Sequence, residues 1–140
     1  MLDVKSAIYS LLTVDATLQS QLGGDATDKR IHFWYPEEEV LGEIELSDSK
    51  PAYITYYEGP SGEPHISLEN ERYVFDIWSL KPEVLEQVFT TLDGLLHNKE
   101  LTCDNHWNIL TRRIHKEDSG RDVKGIYSKN VIYLVKVVKK

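Results

Sequence analysis

The stretch that decides the fold spans residues 71–96 and reads ERYVFDIWSLKPEVLEQVFTTLDGLL. Up to Ser79 the side chains alternate, with Tyr73, Phe75 and Ile77 on one side and Val74, Asp76 and Trp78 on the other. A two-residue period is typical of a β-strand. From Pro82 the period changes, and the apolar residues are Val84, Leu85, Val88, Phe89, Leu92, Leu95 and Leu96. This spacing predicts a long amphipathic helix that buries its apolar side against a sheet.

Two short helices are predicted before this stretch. The first carries its apolar side on Val4, Ala7, Ile8, Leu11 and Leu12. Asp3 is a suitable N-cap for it, and Asp15 or Thr13 could cap a second helix that carries Leu18 and Leu22. Gly23-Gly24 ends that second helix.

Four further strands are expected, at Arg30–Trp34, Ala52–Glu58, Asn108–Lys116 and Ile126–Lys139. Between them, Pro36 to Pro51 is an acidic loop, and Gly59 to Pro64 has the composition of a turn. The last strand is apolar on both sides, which indicates a central strand or one whose second face is covered by another subunit.

These elements predict an α+β fold in one domain, residues 1–140. We expect an antiparallel (mixed) sheet of about four to six strands, with an N-terminal helix pair and one long amphipathic helix packed on one face. A chain of 140 residues has the usual length of a single domain.

Composition restricts the function. The formal net charge of -7 argues against nonspecific nucleic-acid binding, which needs Lys and Arg facing phosphates. No apolar run approaches the ~20 residues that cross a bilayer, and the N-terminal residues lack the pattern of a secretion signal. Cys103 is the single cysteine, so no internal disulfide forms. We therefore expect a protein made and kept in the cytosol, without membrane association.

Residues for catalysis or metal binding are sparse. His97, Cys103 and His106 lie close in sequence, but a structural zinc site needs four ligands in paired short spacings. No nucleophile elbow, phosphate-binding loop or dinucleotide fingerprint occurs in the sequence. We expect no catalytic residues, no metal and no cofactor, and hence not an enzyme.

The order of several short motifs carries a family resemblance. Asp15 begins a short helix that ends at Gly23, a strand after Arg30-Ile31 leads to Pro36, and a Pro-Ala-Tyr-Ile-Thr-Tyr strand follows at residues 51–56. An Arg-x-x-x-Asp-x-Trp segment then spans Arg72 to Trp78 and runs into the long helix. In this order, over nearly the whole chain, the sequence resembles the tail-completion, or head-to-tail joining, proteins of long-tailed phages and prophages.

The resemblance implies a structural, non-enzymatic role in virion assembly. Proteins of this family are similar to tail terminators, which form rings, usually hexamers, at the head-proximal end of the tail tube. The implied partners are further copies of the chain, the tail tube protein and the head connector or stopper protein. Nucleic-acid sequence recognition is not implied. The implied location is the host cytoplasm during assembly and then the head–tail interface of the virion.

Charge distribution suggests where copies could meet. Acidic residues crowd Glu37 to Asp48, while the last strand and the tail are basic. We expect the subunit interface to use Glu37, Glu38, Glu39, Glu43 and Glu45 on one copy and Lys136, Lys139 and Lys140 on the next. The turn Gly59, Pro60, Ser61, Gly62, Glu63 and Pro64 is the expected contact with the tail tube or connector. A charged loop and tail are also compatible with plain solvation.

A different class of protein remains open at this point. The chain could be a monomeric cytosolic protein-binding or regulatory module of a mobile element, whose acidic loop binds a basic partner. Ring formation favours the first interpretation, and a stable monomer with one soluble partner favours the second.

Overall fold

A computed structural model of the chain describes residues 3–33, 44–59, 68–104, 106–121 and 125–139. The helices are α1 (Val4–Val14), α2 (Ala16–Leu22) and α3 (Pro82–Leu96). The strands are β1 (Ile31–Phe33), β2 (Ala52–Gly59), β3 (Leu68–Ser79), β4 (His106–Arg121) and β5 (Tyr127–Lys139).

The strands form one mixed sheet in the order β1-β2-β3-β5-β4. β1 runs parallel to β2, and every other neighbouring pair is antiparallel. β5, the last strand in the sequence, thus lies between β3 and β4, which agrees with the first of the two alternatives that its apolar sides indicated. The α+β class of the sequence analysis is confirmed.

Local side chains fix the ends of the first two helices. Asp3 Oδ1 accepts a hydrogen bond from the Ser6 amide at 2.8 Å, and Asp15 Oδ2 accepts one from the Leu18 amide at 2.8 Å. Gly23 ends α2 with a φ of 75°, in the left-handed region that favours glycine. A Cβ at this position would lie 2.2 Å from the Ser49 carbonyl oxygen, because residues 49–51 pass directly beside the helix end.

The core lies between the helices and one face of the sheet. Tyr73, Phe75 and Ile77 of β3 are buried there, on the side that their alternation predicted. From the helices, the buried residues include Ile8, Leu12, Leu18, Leu22, Leu85, Val88, Leu92 and Leu96. Aromatic side chains of neighbouring strands contact one another. Phe75 stacks on Tyr56 with ring centroids 5.1 Å apart and contacts Tyr133 edge-on with centroids 5.6 Å apart.

Charged side chains hold α3 to the β4–β5 pair. Asp93 accepts hydrogen bonds from Arg113 Nη1 at 2.8 Å and from the Tyr133 hydroxyl at 2.7 Å. Nearby, the buried Lys129 ammonium donates to Glu86 and Asp118 at 2.5 and 2.9 Å. Burial opposes the charge on Lys129, but the two carboxylates outweigh that effect and raise its pKa. Burial and Asp93 also raise the pKa of Tyr133.

Arg30 anchors the segment that precedes β2. Its buried guanidinium donates to the carbonyl oxygens of Ala52 at 2.8 Å, Lys50 at 3.4 Å and Glu45. The group also lies 5.9 Å from the centre of the Tyr53 ring. Residues 44–50, within the predicted acidic loop, contain no helix or strand and are held on the body by these bonds.

Candidate functional site

The sheet has a second face, on the side away from the core. Because side chains alternate along a strand, the residues between the core positions of β3 and β5 point there. On β3 they are Arg72, Val74, Asp76 and Trp78, and on β5 they are Ile132, Leu134, Lys136 and Val138. The described helices all contribute to the core on the other side. On this side Tyr53 and Thr55 of β2 are buried, whereas Arg72 is exposed. The end of the second face around Arg72 is therefore a candidate interaction surface.

One end of the second face combines positive charge with apolar surface. Leu134 pairs with Arg72 on one side and with Arg112 on the other, so two exposed guanidinium groups flank a half-buried leucine. Lys136 follows along β5 and pairs with Leu110. We call Arg72, Arg112 and Lys136 the basic row. Beyond it, Trp107 pairs with Val138 and is 60% exposed.

The other end of the second face is held by polar contacts. Trp78 Nε1 donates to Thr55 Oγ1 at 3.1 Å, and Asn130 Nδ2 donates to Asp76 Oδ1 at 2.9 Å. Burial raises the pKa of Asp76, and the hydrogen bond from Asn130 opposes that rise only in part. Asp76 and Trp78, the motif that carries the resemblance best, thus make contacts within the sheet.

An acidic pocket of about 290 Å³ lies on the helix side of the same sheet. We define the acidic pocket by Asp3, Glu58 and Glu71, which line it together with Phe33, Tyr73 and other residues. The Tyr73 hydroxyl donates to Glu71 Oε2 at 3.0 Å. Burial, followed by the charges of Glu71 and Glu58, raises the pKa of Tyr73, which agrees with a negative potential in the pocket.

Two further groups complete the pocket wall. The Lys5 ammonium lies 4.7 Å from the centre of the Phe33 ring and is the one lysine among the described residues that line this pocket. His106 lines the pocket at the first residue of β4, and its Nδ1 is buried without a hydrogen-bond partner in the described part of the chain. In the neutral imidazole this nitrogen can accept a hydrogen bond.

The acidic pocket and the basic row lie back to back. Glu71 and Arg72 are consecutive residues of β3, and successive side chains of a strand point to opposite faces. One end of the sheet therefore has carboxylates on the helix side and guanidinium groups on the second face.

The predicted interface residues are only partly described. Lys136 is half-buried in the basic row, Lys139 pairs with His106 at the end of β5, and Glu45 is exposed in the segment held by Arg30. Glu37, Glu38, Glu39, Glu43 and Lys140 lie outside the described residues. Of the predicted contact turn, Gly59 ends β2, and residues 60–64 lie outside the described residues as well. Both surfaces stay predictions.

The histidines and the cysteine have separate surroundings. His97 Nδ1 accepts a hydrogen bond from the Arg113 amide at 3.0 Å, and Cys103 is buried. Within the described ranges, no group of three or more His, Cys, Asp or Glu side chains is arranged to hold a metal ion. Over the same ranges, no helix is long and apolar enough to cross a membrane.

Sequence reasoning missed most of this arrangement. It named Arg72 only within a motif, and it did not single out Arg112, Asp3 or Glu58 for a functional role. The alternation of Glu71 and Arg72 was a usable signal for two oppositely charged faces. The sequence contained no such signal for the pairing of Arg112 with Leu134, because this pairing depends on the register between two strands.

Comparison with known proteins gives a structural match. No protein-family model matches the sequence, and no curated protein matches it. Among solved structures, the chain is similar to one in the "Virion of native gene transfer agent (GTA) particle" at 11% sequence identity. The alignment covers 98% of this chain and 95% of that chain, with a TM-score of 0.72. The two chains therefore share a fold.

Proposed function

We propose that the chain is a structural component of a phage-like virion, without enzymatic activity. The observation that carries this proposal is the shared fold over nearly the full length of both chains, since the matching chain comes from a virion particle. The motifs from Asp15 to Trp78 support it independently, because they resemble a family of virion assembly proteins. A fold alone does not define a function, so the proposal depends on the agreement of the two.

More specifically, the chain forms a ring, expected to be a hexamer, at the head-proximal end of the tail tube. There it joins the tube to the head connector or stopper protein. A closed ring needs a heterologous interface, in which two different surfaces of each copy meet. The chain has two such surfaces of opposite charge at one end of its sheet. Assembly would take place in the host cytoplasm, and the ring would remain in the virion.

The predicted contact turn belongs to this proposal. Gly59 to Pro64 connects β2 toward β3 and would touch the tail tube or connector. Replacing residues 60–64 with a short Gly-Ser linker should leave the thermal unfolding transition in place and abolish joining of heads to tails. Normal joining by this variant would exclude the turn as the contact.

The direct test is the solution mass of the purified chain, measured by light scattering across concentration and salt, with negative-stain images of the same samples. Ring-shaped particles at several times 16.2 kDa are the expected result. The measurement is repeated with purified tail tubes, which could template the ring. A monomer in both conditions would overturn the proposed ring and would favour a monomeric binding module.

A further inference from the structure

We propose that neighbouring copies in the ring stack front to back, with the basic row of one copy docked on the acidic pocket of the next. This inference rests on the proposed ring and names its interface. The occupant of the second face is therefore the helix side of a second copy of this chain.

The first argument is charge complementarity. Arg72 and Arg112 are both exposed, and strand pairing fixes them on either side of Leu134. The pocket offers three carboxylates, from Asp3, Glu58 and Glu71, against the single lysine among its described lining residues, Lys5. Guanidinium groups bind carboxylates through paired hydrogen bonds, so the two surfaces match in charge and in their hydrogen-bond donors and acceptors.

The second argument is shape and chemistry. The pocket is concave and has aromatic walls at Phe33 and Tyr73, while the basic row presents Leu134 between two arginines. Arginine stacks well on aromatic rings. Interfaces commonly combine an apolar centre with a charged rim and are enriched in arginine and aromatic residues.

The third argument is geometric. Because Glu71 and Arg72 point to opposite faces of β3, the sheet itself separates the acidic pocket from the basic row. A contact between these surfaces must therefore join two different copies. Such a contact uses different patches on the two copies, so it can repeat from copy to copy around a closed ring.

The test uses two charge-reversed variants of the full chain. Arg72→Glu with Arg112→Glu makes both surfaces negative, and Glu58→Arg with Glu71→Arg makes both positive. Asp3 is left unchanged because it caps α1. Each variant alone should lose assembly in low salt and show the mass of one subunit. An equimolar mixture should return to the wild-type mass, because each negative surface then meets a positive one in an alternating ring.

The control variant Glu83→Arg with Gln87→Arg adds positive charge on exposed positions of α3 that belong neither to the basic row nor to the described lining of the acidic pocket, and should assemble like the wild type. Circular dichroism and thermal unfolding verify that each variant folds. If the double pocket variant does not fold, Glu58→Arg alone replaces it, since Glu58 is exposed. A third variant, with Glu37, Glu38 and Glu39 changed to Lys, tests the acidic loop as an alternative partner of the basic row.

The outcomes separate this interface from the ring itself. If a reversed variant alone assembles like the wild type, or if the equimolar mixture stays monomeric while the wild type assembles, this interface is wrong and the ring stands. If only the loop variant restores assembly of the basic-row variant, the loop is the partner and the pocket is excluded. If the wild type stays monomeric with and without tail tubes, the proposed ring and this interface both fail.

Discussion

Single residues decide how the segment before β2 is held, and Arg30 is the clearest case. It directly precedes β1 with a φ of 57° and donates to carbonyl oxygens that lie 15 to 22 residues further along the chain. Removing the guanidinium would take away the side-chain donor of the Ala52 and Glu45 carbonyls, whereas the Lys50 carbonyl would keep its bond from the Ser47 amide. Leaving a buried acceptor without a partner costs more than the net value of the hydrogen bond itself.

We therefore expect Arg30→Met to lower the free energy of unfolding by about 2–3 kcal/mol. Lys29→Met, at the adjacent half-buried position, is the matched control and should change stability by less than about 0.5 kcal/mol. Urea denaturation followed by circular dichroism measures both. Equal effects in the two variants would show that the hydrogen bonds of Arg30 do not hold this segment.

Two glycines allow a second comparison at this scale. Gly23→Ala should destabilise the fold by about 1–3 kcal/mol, because a non-glycine residue is strained at positive φ and the new Cβ would meet the Ser49 carbonyl oxygen. Gly94 lies in α3, where an added Cβ would meet no atom of the described neighbours within 4 Å. Gly94→Ala should therefore stabilise by about 0.5–1 kcal/mol through helix propensity. Thermal unfolding of both variants tests whether the signs are opposite.

The sequence predicted the residue-scale features that are local. Asp3 and Asp15 cap helices within three residues of themselves, so the pattern identified Asp3 and reduced the second cap to Asp15 or Thr13. Arg30 was predicted only as the start of a strand, because nothing near it in the sequence indicates carbonyl partners more than a dozen residues away.

At the scale of elements, α3 contributes much of the core. Leu92 is fully buried on the side of α3 that faces the sheet, whereas Thr90 is exposed. Leu92→Ala should cost about 2–5 kcal/mol, since it removes apolar contacts and leaves a cavity. Thr90→Ala should lie within about 0.5 kcal/mol of the wild type. Chemical denaturation measures both, and a small effect of Leu92→Ala would mean that α3 does not pack on the sheet as described.

Strand boundaries were the least accurate sequence predictions. The fourth strand was expected at Asn108–Lys116 and spans His106–Arg121. Its extra C-terminal residues, 117–121, are polar or charged except for Gly120 and show no apolar alternation. They are in a strand because β5 lies beside them and pairs with them, for example Asp118 with Lys129. A non-local partner thus extended the strand beyond the range that its own side chains indicate.

At the scale of the whole molecule, the raised pKa values of several side chains make the free energy of unfolding depend on pH in the alkaline range. Lys129, Tyr73 and Tyr133 all have raised pKa values in the folded chain. Above pH ~10 the unfolded chain releases protons that the folded chain still holds. The unfolded state then binds fewer protons, so the free energy of unfolding falls as pH rises. Below that range both states keep these protons, and the contribution is fully present.

We expect urea midpoints to fall steadily between pH ~9 and pH ~11. Tyr133→Phe should make this decline shallower, because it removes one of the coupled groups. It should also lower stability near neutral pH by about 1 kcal/mol through the lost hydrogen bond to Asp93. Tyr9→Phe, at an exposed position, is the control. Identical pH profiles for wild type and Tyr133→Phe would contradict the assigned role of Tyr133.

The fold class could be predicted from the sequence, but the pairing of the strands could not. Two apolar sides indicated that β5 is either central or covered by another subunit, and the wide apolar side of α3 indicated a helix on a sheet. The back-to-back surfaces needed the actual registers, since Leu134 lies between Arg72 and Arg112 only in this strand order. For the same reason, charge runs along the sequence suggested an acidic loop, and the compact acidic pocket appeared only in three dimensions.

The position of β5 also has a consequence for synthesis on the ribosome. β3 and β4 have no direct pairing with each other, because β5 lies between them and is made after both. A nascent chain therefore cannot complete its sheet until residues 127–139 have left the exit tunnel. The basic row includes residues of all three strands, so it also forms only at that point. Incomplete chains consequently lack the basic row, and with it the surface that we propose for docking between copies.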